Sequence, residues 1–144
     1  MFGHDRNSLR RYYLTVWKKT EAGLPLEPLE HLIADVIRQH PEYHALLEST
    51  EAILDRDYLP EMGQTNPFLH MGMHIAMQEQ LGSDRPHGIH NVYQKICRRA
   101  GDTHTAEHLM MECLGETLWE AQRSGSEPDE RLYLQRLRKL LGRL

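Results

Sequence analysis

Apolar positions recur through most of the chain at spacings of three and four, the pattern of helices with one buried face. Leu9, Tyr12, Tyr13, Val16 and Trp17 make the first such stripe, with Asn7 or Ser8 at the cap position and Ala22-Gly23-Leu24-Pro25 as the break behind it. The second stripe opens near Pro28 and runs through Leu29, Leu32, Ile33, Val36, Ile37 and His40. Pro41 follows, and its missing N–H and bulky ring kink or restart the helix there. Tyr43, Leu46, Leu47 and Leu54 predict a third helix, and residues 55–65 a long connection. Asn66 followed by Pro67 places a capping side chain before a first-turn proline, which predicts a helix over about 67–81 that Gly82 closes.

Downstream, Asp84 with Pro86 is expected to open a helix whose Ile89, Val92, Tyr93, Ile96, Cys97 and Ala100 share a face, ended by Gly101. Asp102 or Thr103 caps the next helix, which runs to about Arg123 before the break Ser124-Gly125-Ser126-Glu127-Pro128. The last helix sets Leu134, Leu137, Leu141 and Leu144 on one side, with Arg131, Arg136, Arg138, Lys139 and Arg143 mostly on the other. The pattern predicts an all-α fold, one domain over residues 1–144 built as a bundle of six or seven helices around the central apolar helix.

Composition narrows the function classes. Hydrophobic residues are 40% and charged residues 26% of 144 residues, ordinary for a folded domain. A net charge of -4 argues against nucleic-acid binding by the whole domain, which needs a basic excess. Cys97 and Cys113 lack the CxxC spacing of a zinc knuckle, and a reduced, cytoplasmic setting is expected. The first residues carry no apolar core of a signal peptide, and no run approaches the roughly 20 apolar residues that span a bilayer. No membrane association is therefore expected; partners stay unknown, and an exposed methionine surface would suit a homodimer. Asp55 and Asp57 begin like a calcium loop, but its glycine and distal glutamate are missing.

Ten histidines are the unusual feature. In FLHMGMHIAMQEQ, His70 and His74 lie one turn apart and share a stripe with Met73, Met77 and Leu81. Residues at that spacing stand about 5–6 Å apart at Cβ, so two imidazoles can converge on one ion. HTAEH repeats the spacing with His104 and His108, and Glu107 between them falls inside the apolar half of its helix with Met110, Met111, Leu114 and Leu118. A carboxylate buried there must be paired or bound to a metal. HPEYH supplies a third, secondary pair in His40 and His44, disturbed by Pro41.

These residues suggest a divalent transition-metal site, zinc or iron, held by His70, His74, His104 and His108, with Glu107 as ligand or general base. HTAEH also matches the H-x-x-E-H string of inverted zincin peptidases, but five residues without the distant acidic ligand do not carry that activity. The competing reading is a metal-free helical adaptor or regulatory protein whose histidines are hydrogen-bonded core residues and whose methionines are core filler. His4, His31, His87 and His90 fall on loops or polar edges and are assigned no role. The basic face of the last helix is read as solvated.

LIADVIRQHPEYH, NPFLHMGMHIAMQEQ, DRPHGIH and GDTHTAEHLMMECLGETLWEAQ together resemble a proteobacterial family of small helical proteins, catalogued as domain of unknown function eighteen forty-one. The resemblance runs from about residue 5 to about residue 124 and implies a small bacterial cytosolic protein. It brings no established activity and no functional residues.

Overall fold

The helical spacing of the apolar residues is realised throughout the described part of the chain, residues 6–48 and 66–144 of a computed structural model. Seven α-helices occur there, with no strand among the described residues: α1 Arg6–Glu21, α2 Pro28–Arg38, α3 His44–Glu48, α4 Pro67–Ser83, α5 Ile89–Ala100, α6 Thr103–Ser124 and α7 Glu130–Arg143. A 3-10 turn, Pro41–Tyr43, joins α2 to α3. Leu54, the 55–65 connection with Asp55 and Asp57, and His4 lie outside the described residues.

The packing divides into two compact units, one ending at Ile75 and one beginning at Ala76, so the boundary falls inside α4. In the first unit α1 packs against α2 and α3. Tyr13, Leu14, Val16 and Trp17 from α1, Ile33, Val36 and Ile37 from α2, Leu47 from α3, and Phe68, Met71 and Ile75 from α4 form its core. Phe68 anchors the start of α4: its ring meets Tyr13 at 5.5 Å between centroids, and the Arg10 guanidinium lies 5.1 Å above it. Asn66 caps this end as expected, its Oδ1 accepting from the N–H groups of Phe68 and Leu69 at 3.0 and 3.2 Å.

In the second unit α5, α6 and α7 pack pairwise against one another. Met77, Ile89, Ile96, Met110 and Leu137 are fully buried. Of the five methionines at helical spacing, Met71, Met77, Met110 and Met111 are buried and only Met73 is half-buried, so they act as core filler. Asp102 caps α6, accepting from the Thr105 N–H at 2.7 Å.

Several local expectations shift. Leu9 and Tyr12 are exposed rather than part of the α1 core face; with Leu29, Ile33 and Ile75 they wall an open apolar cavity of about 610 Å³ in the first unit. The helix after Pro86 starts only at Ile89, because the Asp84 carboxylate accepts from the N–H groups of Gly88 and His90 and holds residues 84–88 in a turn. Leu118, expected inside, is 39% exposed. On α7 the buried line is Tyr133, Leu137 and Leu140, while Leu144 is exposed. Tyr133 takes the inner position because its hydroxyl donates to Gln80 Oε1 at 2.7 Å while its ring stays buried. Arg136 leaves the solvated basic face: it is drawn to Glu120 at 2.6 Å, Glu116 at 3.7 Å and the Thr117 hydroxyl at 2.9 Å on α6.

Candidate metal centre

The α2 stripe ends in His40, and the turn forced by Pro41 holds its imidazole inside the first unit, 3% exposed. Its Nδ1 donates to the Val36 carbonyl at 2.7 Å. A ring nitrogen facing a carbonyl must carry the proton, so the neutral ring presents the Nε2 lone pair outward from that bond. This is the arrangement by which a backbone carbonyl orients a ligating histidine.

Across from it, α4 supplies His70 and His74 one turn apart, with His74 fully buried and His70 half-buried. Their Nε2 atoms stand 3.2 Å apart. The three rings converge: His40 lies 5.1 Å from His70 and 4.8 Å from His74 between centroids, and His70 lies 4.8 Å from His74. One ligand nitrogen from each residue falls within 4.8 Å of the other two. Tyr43, in the 3-10 turn, stacks on His40 at 5.4 Å with planes 5° apart and turns an edge to His70 at 6.4 Å.

Among the described residues this is the group of three donors that the fold gathers. The α4 pair belongs to it as expected, and its third member is His40, the secondary candidate. His44 does not join: its Nε2 donates to the Ile37 carbonyl at 2.9 Å, and its ring lies 4.4 Å from Trp17. His104, Glu107 and His108, all in the second unit, are not part of the group. His104 is exposed, and its ring lies 4.2 Å from that of His108, whose Nδ1 donates to the His104 carbonyl at 2.9 Å. Glu107 is buried as the helical wheel predicts, and the Gln78 amide donates to both of its oxygens at 3.2 Å.

Two residues around the centre escaped the sequence reading. The Val36 carbonyl could be found only from the i, i+4 relation to His40 within a continuing helix, which Pro41 obscured. Tyr43 carries a weak signal, lying three residues after His40 in a turn.

With the site described, its relatives can be stated. The family whose description reads Domain of unknown function (DUF1841) matches residues 5–139, nearly the whole chain. The chain belongs to the DUF1841 family. The match extends past residue 124, so α7 falls largely within the DUF1841 unit, as do all three histidines of the cluster. No curated protein and no solved structure matches the chain. No helix among the described residues of this DUF1841 protein is long and apolar enough to cross a membrane.

Proposed function

We propose that this protein binds one divalent transition metal, zinc or iron, through His40, His70 and His74. The observation that carries the reading is the convergence of three imidazole nitrogens within 4.8 Å inside the first unit. Two nitrogens bound tetrahedrally at about 2.0–2.1 Å stand about 3.3 Å apart, and the His70 and His74 Nε2 atoms stand 3.2 Å apart. The His40 bond to Val36 sets the tautomer whose Nε2 lone pair can serve as a ligand. Imidazole nitrogens suit either zinc or iron as ligands. Glu107, in the second unit, is left outside this set, and no reaction is assigned to it.

A second reading, a metal-free helical adaptor or regulatory protein with structural histidines, is supported by the same 3.2 Å contact. One ring donating Nε2–H to the other satisfies both polar atoms without an ion. Elemental analysis of untagged protein, purified without chelator, separates the two. Near-full occupancy is expected in the native chain and in His104→Ala, and loss in His40→Ala, His70→Ala and His74→Ala. Less than about 0.1 metal per native chain, far below the occupancy of a tight site, would overturn the metal reading.

A further inference from the structure

We propose that the open cavity walled by α1, α2 and α4 of the first unit binds an uncharged, largely hydrocarbon small molecule whose one polar group accepts a hydrogen bond from Tyr13. The proposal does not depend on the metal reading. At helical pitch Gly72 and Ile75 leave α4 on the side away from His70 and His74, so the cavity and the histidine cluster use opposite faces of one helix. The cavity volume, about 610 Å³, falls within the roughly 300–1,000 Å³ of small-molecule pockets. Leu9, Leu29, Ile33 and Ile75 make its walls apolar, and among the described residues no charged side chain lines it. A charged ligand would shed its water there without a counter-charge, so a neutral one is favoured.

Tyr13 supplies the polar contact. Its ring is held in the core, 3% exposed and 5.5 Å from Phe68 between centroids, while its hydroxyl ends beside Gly72, where a Cβ would stand 3.8 Å from the oxygen. Both residues line the cavity, so the polar tip of a buried side chain lies at its wall. Burial pushes the Tyr13 hydroxyl up to about 12, so it stays protonated at neutral pH and can donate. A second copy of the chain fits this place less well. The exposed apolar residues of the lining are Leu9, Tyr12 and Leu29, a rim far short of the roughly 800 Å² per partner that a stable protein interface covers.

The test titrates the full chain with prodan, an uncharged naphthyl ketone whose emission brightens and shifts to the blue in apolar surroundings. Saturable binding of one prodan per chain is expected, with displacement by acetonaphthone and at least about tenfold weaker displacement by the anionic naphthoate of similar shape. Tyr13→Phe should weaken binding roughly three- to tenfold through loss of one hydrogen bond. Leu29→Asp changes an exposed position of the lining and should weaken binding at least about tenfold. Circular dichroism checks that both variants fold. No saturable binding would overturn the proposal, as would equal displacement by the ketone and the carboxylate, or unchanged affinity in either variant. A chain that dimerises and takes up prodan only when diluted to monomer would make a second copy the occupant and overturn it as well.

Discussion

His74 Nε2 stands 3.2 Å from His70 Nε2, a distance that serves equally as a ring-to-ring hydrogen bond and as one edge of a metal tetrahedron. The difference lies in protons. The hydrogen bond needs one Nε2–H, whereas ligation needs both lone pairs, so binding a metal displaces a proton from this contact.

Metal binding to the folded site alone must raise stability. At a free zinc concentration a hundredfold above the dissociation constant, the gain is about 2.7 kcal/mol. Urea unfolding of the native chain should shift by that amount on adding zinc, and the His74→Ala chain should not shift. Equal zinc-induced shifts in both would remove His74 from the site.

In the second unit, the buried Glu107 carboxylate is held by the Gln78 amide at 3.2 Å to each oxygen. Gln78→Ala takes away a donor to a buried acceptor and is expected to cost about 1–3 kcal/mol. Denaturant midpoints at neutral pH measure it; a change within experimental scatter would show that Gln78 does not hold the carboxylate.

The Lys19–Glu30 pair links α1 to α2 and gives the first unit a pH dependence. Glu30 accepts from the Glu27 N–H at 2.8 Å and from Lys19 Nζ at 2.9 Å, and these bonds hold its carboxyl below the ordinary 4.5. The hydrogen bond to Glu30 holds Lys19 above its ordinary 10.5. Glu30 thus stabilises the fold fully above its unfolded value and loses that contribution as pH falls through its lowered folded value. Lys19 does so fully below its unfolded value and loses it as pH rises through its raised one. Melting temperatures of native and Glu30→Gln chains should differ most between these limits and converge in acid. A constant difference down to strongly acidic pH would contradict the assignment.

Two glycines should respond in opposite directions. Gly72 sits within α4, and among the described residues a Cβ there would meet the Tyr13 hydroxyl oxygen at 3.8 Å, an ordinary contact. Gly72→Ala is expected to stabilise by about 0.5–1 kcal/mol through the lower entropy of the unfolded chain. Gly101, with φ of +96°, closes α5 in a conformation that side chains resist. Gly101→Ala should destabilise by roughly 1–2 kcal/mol. Thermal melts read both signs directly.

Helix locations were largely legible, because burial of one face imposes a spacing that needs no knowledge of the partner face. Asn66-Pro67 and Asp102 announced their helix starts through local capping, and the structure places both caps where the residues put them. Rotation about the axis was less legible. Tyr133 and Leu134 are neighbours on α7, and which one turns inward depends on Gln80, more than fifty residues away in sequence, which accepts the Tyr133 hydroxyl hydrogen. Leu9 and Tyr12 fit the apolar stripe of α1, yet no neighbour covers the cavity they wall among the described residues.

The site divides along the same line. His70 and His74 were determined as a pair by the sequence alone, since helical pitch sets their separation whatever surrounds them. The same pitch paired His104 with His108 and turned Glu107 inward, and those local relations hold. Which third imidazole completes a group was a tertiary decision. His40 reaches the α4 pair because α2 ends at Arg38, ahead of Pro41, and the chain packs its end within the first unit, where Val36 fixes the ring. Periodicity acts through bonds between near neighbours along the chain, whereas convergence of donors from separate helices depends on how whole faces pack, and a spacing rule carries no information about that.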